Sequence, residues 1–188
     1  MINLDDIKDR LKKLLPLKRF EHSLRVEKEA VKLARHYHIP ETKAAVAALL
    51  HDCSRFMDGK RMLKQALSWG LKIGPMEKFE PKLLHAKLSA VIARRKFKIK
   101  DPDILSAIER HTVGAEKMSR LDKIIYLADH IEDTRNYKGV KGVKKLAFRD
   151  LDAAVAESTS SMIGALLKKG LPIFEATVKT RNAHLKLL

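Results

Sequence analysis

Cysteine is nearly absent from this sequence, and aromatic residues are scarce. Cys53 is the single cysteine among 188 residues, so an intramolecular disulfide and a metal site built from several thiolates are both excluded. No apolar run approaches the roughly 18 residues that a membrane-spanning helix needs. The first residues, MINLDDIKDRLKK, lack the apolar stretch of a signal peptide. We therefore expect a soluble cytoplasmic protein with no membrane partner.

Acidic residues are also in the minority. The chain has 39 lysines and arginines against 23 aspartates and glutamates, which gives a formal net charge of +16. The basic residues are spread along the chain, with local clusters at Arg94-Arg95-Lys96 and Lys168-Lys169. Such a charge distribution attracts polyanions, including nucleotides and nucleic acid. The alternative interpretation is a lysine-rich solvated surface with no such partner.

Alternating patterns typical of strands are missing, and helical periodicity dominates instead. Good helix-start signals occur at Pro40, at Asp101-Pro102 and at Ser119, where Asp122 resembles the second member of a capping box. The length and the 45% hydrophobic content suit one sizeable core. We predict one all-α domain with helices over residues 4–15, 19–37, 41–52, one or two short helices within 57–80, then 83–95, 101–111, 119–133, 144–168 and 172–186.

Several histidines and carboxylates border the apolar faces of these predicted helices. In AALLHDCSRF, the pair His51-Asp52 follows four apolar residues, and in KIIYLADHIED, Asp129 follows a similar run. His22, His85 and His111 lie at the ends or inner faces of three other predicted helices. A single histidine in a helix is usually a surface or core residue. Several of them on neighbouring helices are typical of a metal site inside a helical bundle.

Burial of Asp52 and Asp129 carries an electrostatic cost. A lone buried carboxylate costs several kcal/mol, and two close together also repel each other. A divalent cation between them removes both problems, and imidazole with carboxylate ligands suits iron, manganese, zinc, cobalt or nickel. The alternative is a buried ion pair between histidine and aspartate that needs no metal.

The order His22, His51-Asp52, Asp129 resembles the H…HD…D signature of the HD superfamily of metal-dependent phosphohydrolases. Within that superfamily, residues 10–185 are similar to the bacterial YqeK-like family. The blocks that carry this resemblance are RFEHSLRVEKEAVKLA, AALLHDCSRF, LLHAKLSAVIA, ILSAIERHTVG, MSRLDKIIYLADHIEDTR and the Gly-Val that follows. The resemblance implies an all-helical HD domain with a motif core at about 18–140, on which the C-terminal helices of residues 144–186 pack. It also implies an enzyme that hydrolyses diadenosine tetraphosphate symmetrically, to two molecules of ADP.

The resemblance also implies a ligand set. His22, His51, Asp52 and Asp129 would hold one metal ion, while His85 and His111 match the additional histidines of two-metal HD enzymes. Asp52 would then bridge two ions. We expect iron first, with manganese, cobalt, nickel or zinc as alternatives. Two ions about 3.5–4 Å apart lower the pKa of a bound water enough to give hydroxide, which would attack the tetraphosphate.

Four further residues match positions that the family uses for substrate. Thr112 and Gly114 belong to an H-T-x-G turn, and Arg135 follows the A-D-x-I-E stretch. Arg55 occupies the place where family members commonly carry lysine, an exchange that matters at a shaped site. We predict catalytic roles for Asp52, Arg55 and Arg135, in which the arginines stabilise charge on phosphate oxygens. Asp133 replaces a common proline, and Cys53 is predicted to be a packing residue rather than a nucleophile.

Two other functions are compatible with the sequence. An HD phosphohydrolase acting on another nucleotide, such as a nucleoside monophosphate or a cyclic nucleotide, would keep the same metal ligands. An RNA- or ribosome-associated binding protein would use the +16 charge. Nucleic acid is not predicted as the main partner, because no RNA-binding motif is present. The sequence leaves the oligomeric state open, with a homodimer as one alternative.

Overall fold

A computed structural model describes residues 3–185 of the chain, and these residues form α-helices without any strand. The all-α prediction is confirmed. The α-helices are α1 (Leu4–Leu14), α2 (Leu17–His36), α3 (Glu41–Leu50), α4 (Gly59–Ser68), α5 (Pro75–Phe79), α6 (His85–Lys96), α7 (Pro102–Arg110), α8 (Arg120–Ile131), α9 (Val140–Ala147), α10 (Leu151–Lys168) and α11 (Glu175–His184). A 3-10 turn (Pro81–Leu84) leads into α6.

Two helix starts follow the predicted capping chemistry. The side chain of Asp101 accepts hydrogen bonds from the backbone amides of Asp103 and Ile104, at 2.9 and 3.4 Å. Ser119 and Asp122 form a reciprocal capping box: each backbone N–H donates to the other residue's side chain. Asp122 therefore acts as the N3 residue of the capping box, a position at which the longer glutamate or glutamine is usual. These caps fix where α7 and α8 begin.

Helix α3 is the centre of the core. All residues from Ala44 to Leu50 are buried, so this helix is apolar on every face and must be surrounded by others. Helices α2, α7 and α8 pack around it. Helices α9 and α10 pack on α8, where the buried Tyr126 hydroxyl bonds to the Thr159 hydroxyl of α10 at 3.0 Å. Among residues 3–185, no helix is long and apolar enough to cross a membrane.

The prediction of one helix over 144–168 is wrong. The chain forms α9 and α10 there, separated by Phe148, Arg149 and Asp150. The Asp150 carboxylate caps the start of α10 by accepting from the amides of Asp152 and Ala153, at 3.0 and 3.1 Å. A side chain that bonds these amides competes with a continuous helix at this point. The last predicted helix is shorter than expected, and its end at position 186 lies outside the described residues.

The 112–115 turn is held against α11 by a close backbone approach. Gly114 has φ +70°, a conformation that suits glycine. A Cβ atom added there would lie 2.4 Å from Cγ2 of Thr180. Thr180 cannot move away easily, since it is fully buried and its hydroxyl donates to the carbonyl of Val113 at 2.8 Å.

We expect Gly114→Ala to lower the free energy of unfolding by about 2 kcal/mol or more, because strain at positive φ adds to a steric clash. Chemical denaturation followed by circular dichroism measures this. Gly142→Ala is the matched control: Gly142 lies in α9 with nothing within 4 Å of its added Cβ, so that change should be neutral or stabilising. Equal stability of the two variants would contradict the argument.

Candidate metal centre

The residues predicted as metal ligands meet where four helix termini converge on the core. His51 and Asp52 directly follow α3, His85 begins α6, and His111 directly follows α7. His22 comes from the first half of α2 and Asp129 from the last turn of α8. The apolar run of α3 anchors the helix in the core. His51, with no exposed surface, and Asp52, 3% exposed, are carried inward with it.

Three of the histidines are oriented in the same way. The Nδ1–H groups of His51, His85 and His111 donate to backbone carbonyls three residues earlier, at 2.6, 2.6 and 2.7 Å. This hydrogen bond places the proton on Nδ1, so the lone pair of Nε2 faces the centre. Burial lowers the pKa of His85 and of His111 to about 4, and it also lowers the pKa of His51. All three side chains are therefore neutral at pH 7.

These Nε2 atoms gather around one carboxylate. Oδ1 of Asp52 lies 3.3 Å from Nε2 of His85 and 3.7 Å from Nε2 of His111. The two Nε2 atoms are 3.1 Å apart. Burial alone would raise the pKa of Asp52, but the nearby histidines, led by His51, and the cation of Arg55 outweigh it and lower that pKa. Asp52 is thus an anion facing two unprotonated nitrogens.

A second group lies on the other side of His51. Nε2 of His22 is 3.0 Å from Oδ1 of Asp129. The ligand atoms of His22, His51 and Asp129 all lie within 4.8 Å of one another, and those of His51, Asp52 and His111 do so as well. Burial opposes ionisation of Asp129, yet the His22 hydrogen bond and neighbouring charges hold its pKa well below the usual range. His51 therefore belongs to both groups.

Two buried polar atoms show that this set fits a metal ion. Nε2 of His51 and Oδ1 of Asp52 have no hydrogen-bond partner among residues 3–185. An unpaired buried polar atom costs about 1–3 kcal/mol, and more when it is charged. Both atoms are Lewis bases at the meeting point of the two groups, so a divalent cation would satisfy them together. Nitrogen and carboxylate donors without thiolate also match borderline transition metals.

Glu132, which the sequence analysis missed, orients His22. One carboxylate oxygen of Glu132, Oε1, lies 3.4 Å from Nδ1 of His22. Glu132 is only 2% exposed and is held by Arg25 at 3.0 Å and by the amide and hydroxyl of Thr134 at 2.9 and 2.6 Å. This is the carboxylate–histidine arrangement that fixes the tautomer of a metal ligand. The signal in the sequence is spacing, since Glu132 follows Asp129 by three residues.

Cationic side chains surround a cavity of about 270 Å³ above the ligands. Arg55 Nε lies 3.4 Å from Oδ1 of Asp52, and Arg135 donates to both the backbone carbonyl and the carboxylate of Asp129. Arg19 was not predicted; it lies three residues before His22 on α2 and donates to Oδ2 of Asp52 at 3.3 Å. The cavity lining is Arg19, His22, Asp52, Arg55, His85, Thr112, Asp129, His130, Arg135 and Met162.

The two residues of the predicted H-T-x-G turn are placed differently. Oγ1 of Thr112 lies 3.0 Å from Nε2 of His85, at the edge of the cavity. Gly114 does not line the cavity; it borders a neighbouring groove and packs against Thr180.

Cys53 is fully buried near the carbonyl of Ser89, and burial raises its thiol pKa to about 12. A thiol in that state packs and does not act as a nucleophile.

Comparison with known proteins places this arrangement in a family. The HD domain family matches residues 19–134, which include all six predicted ligands. The chain belongs to the HD-domain family. The resemblance found in the sequence is thereby confirmed. Because this match covers most of the chain, the helical fold and the order of the histidines and aspartates are those of an HD domain.

Full-length relatives extend the match beyond the HD domain. The chain is 38% identical over 164 residues to a protein of Halalkalibacterium halodurans, which covers 87% of each chain. It is 36% identical over 172 residues to one of Bacillus subtilis, which covers 92% of each. Both relatives are named symmetrical bis(5'-nucleosyl)-tetraphosphatase. A crystal structure from Clostridium acetobutylicum, described as a predicted HD superfamily hydrolase involved in NAD metabolism, superimposes with a TM-score of 0.93 at 37% identity. It covers 98% of this chain and 97% of that one.

We expect Glu132→Gln to weaken metal binding about 10- to 100-fold, because His22 loses the carboxylate that orients it. Metal retained during titration with a competing chelator, measured by elemental analysis, reports the change without any activity assay. His51→Ala serves as the reference for complete loss, since His51 belongs to both ligand groups.

The matched control is Asp133→Asn, which alters the neighbouring, exposed carboxylate and should leave metal affinity unchanged. Thermal unfolding of both variants checks that the fold is intact. Parental metal affinity in Glu132→Gln would rule out the orienting role.

Proposed function

We propose that this HD-domain chain hydrolyses diadenosine tetraphosphate symmetrically and releases two molecules of ADP. The observation that carries the proposal is the identity of 36–38% to relatives of that name over 87–92% of the chain. The geometry supports it, because a complete set of metal-ligand side chains lies under a cavity rimmed by three arginines. Hydrolysis of a polyphosphate requires both features: side chains that bind a metal ion, and cations that stabilise charge on the phosphate oxygens.

The residues that would hold metal are His22, His51, Asp52, His85, His111 and Asp129. We propose two ions with Asp52 between them, and iron as the metal. A divalent metal bound there would act as a Lewis acid on phosphate and lower the pKa of a water molecule. Lowered pKa values keep His51, His85 and His111 neutral and the two aspartates ionised, and both are the protonation states that ligands require.

The three arginines would bind phosphate oxygens at two different places. Arg135 lies beside Asp129 at one end of the ligand set, while Arg19 and Arg55 lie beside Asp52. Guanidinium groups bind phosphate oxygens through paired N–H donors, and they stabilise the charge that develops there during in-line displacement. The leaving group is ADP, an anion that needs no proton to depart, so no general acid is required. The hydroxyl of Thr112 can donate to a further phosphate oxygen.

A product assay tests the function directly. Diadenosine tetraphosphate incubated with the metal-loaded protein should give ADP alone, because symmetrical cleavage breaks the central linkage. Chromatography separates ADP from AMP and ATP. Equal amounts of AMP and ATP would overturn the symmetrical reaction. Turnover of nucleoside monophosphates or cyclic nucleotides without hydrolysis of the dinucleotide would assign another HD phosphohydrolase activity.

Arg135→Ala should keep bound metal and lower kcat about 100-fold, because one cation at the reacting phosphate is removed. Metal analysis and initial rates are measured on the same preparation. Arg120→Ala, an exposed arginine at the opposite end of α8, is the control and should change neither quantity. Loss of metal in Arg135→Ala would mean that this arginine supports the ligand Asp129 instead of binding phosphate.

A further inference from the structure

The cavity above the metal centre is too small for the proposed substrate. Its volume is about 270 Å³, whereas sites for drug-sized ligands occupy about 300–1,000 Å³. Diadenosine tetraphosphate, with two nucleosides and four phosphates, is larger than a typical drug. If the proposed function is correct, most of the substrate must therefore lie outside this cavity. The inference below rests on that function.

A groove adjoins the cavity at Thr112. This groove, which we call the α6–α7 groove, has a volume of about 530 Å³ and is bordered by α6, α7, the 112–115 turn and Phe174. Thr112 lines both spaces, and its Oγ1 lies 3.0 Å from Nε2 of His85. Thr112 therefore forms part of the wall of both spaces and lies next to the predicted ligand His85. Its volume suits the nucleoside half that the cavity cannot contain.

The lining of the α6–α7 groove combines apolar side chains with three basic ones, Lys87, Arg94 and Arg110, and two acidic ones, Glu77 and Glu109. Leu83, Val113 and Phe174 are half-buried and offer apolar surface for a purine ring. Lys87 and Arg110 supply positive charge, although each also pairs with a carboxylate of the protein, Glu77 at 2.7 Å and Asp122 at 2.8 Å. This combination complements a nucleotide, which has an aromatic base and an anionic phosphate chain.

Arg94 is the cation of the groove that remains available. It is exposed, and no residue within 3–185 accepts a hydrogen bond or forms an ion pair with it. Arg94 follows Lys87 by seven residues, about two turns of α6, so both lie on the groove side of the helix, about 10.5 Å apart along its axis at 1.5 Å per residue. An extended nucleoside diphosphate spans a distance of this order. Arg94 would thus meet the base, on whose face a guanidinium can stack.

We propose that one ADP half of the substrate lies in the α6–α7 groove, with its phosphate end at Thr112 and its adenine beside Arg94. The other half then extends from the opposite end of the ligand set, where Arg135 lies beside Asp129. A reaction centre in the middle of an extended substrate is what symmetrical cleavage requires. In this arrangement Arg94 is a specificity-determining residue that does not touch the reacting atoms.

Steady-state kinetics with diadenosine tetraphosphate tests the proposal. Arg94→Ala should raise KM about three- to tenfold and leave kcat within about twofold, because it removes a contact to the bound base only. The neighbouring Arg95→Ala removes the same charge but does not border this groove, since Arg95 lies over the Trp69 ring instead. Its KM should equal that of the parent.

Ser106→Trp is a second, independent test, because Ser106 lines the groove and a tryptophan there would fill it. It should raise KM at least as strongly, while the inhibition constant of inorganic tetraphosphate, which has no nucleoside, stays at the parental value. A fold check by thermal unfolding accompanies this variant, and Arg94→Ala decides alone if the tryptophan is not tolerated.

Two results would overturn the subsite while leaving the proposed function intact. In one, KM stays parental in Arg94→Ala. In the other, Arg95→Ala raises KM as much as Arg94→Ala, which would indicate a general charge effect. A parental protein that fails to make ADP from the dinucleotide would overturn the proposed function itself, and this would be evident before any variant is measured.

Discussion

The structure depends on two carboxylates, the buried Asp52 and the half-buried Asp129, which lie among imidazoles. Removing a carboxylate from water is costly, and the cost is recovered only when cations or hydrogen-bond donors surround it. Here His51 lies close to both aspartates, and Arg55 and Arg135 each lie beside one of them. The helices that deliver these groups must therefore keep their positions within narrow limits. The apolar α3, buried on every face, provides that rigidity.

Helix ends explain why this geometry is achieved with few residues. The last carbonyls of a helix have no amide partner within it. His51 and His111 follow α3 and α7 directly, and each uses such a carbonyl to hold its Nδ1–H. One hydrogen bond thus satisfies a carbonyl of the helix terminus and orients a predicted metal ligand. His22 lies within a helix, lacks that arrangement and faces Glu132 instead. The position of each histidine determines which group orients it.

The sequence predicted the parts that depend on local pattern or on motif. Helical periodicity located most of α2 to α8, and the resemblance selected the six residues that the structure brings together. What it missed depends on tertiary contacts. The break between α9 and α10 rests on a side-chain cap at Asp150. Arg19 matters only because α2 packs on α3, and Glu132 only because α2 also packs on α8. The contact of Gly114 with Thr180 joins residues 66 positions apart, which no spacing rule connects.

The residues that would determine the reaction and those that would recognise the substrate lie in different places: the first are the predicted metal ligands, and the second line the surrounding grooves. Imidazoles and carboxylates in this arrangement suit metal-assisted phosphate hydrolysis, but they contact only atoms near the bond that breaks. A base that lies more than 10 Å from that bond must be recognised elsewhere on the surface. In the arrangement proposed above, the α6–α7 groove does this, since Arg94 and Phe174 line it and Thr112 lines both the groove and the cavity. Substitutions there would change which nucleotide is accepted while the metal ligands, and hence the class of reaction, stay the same.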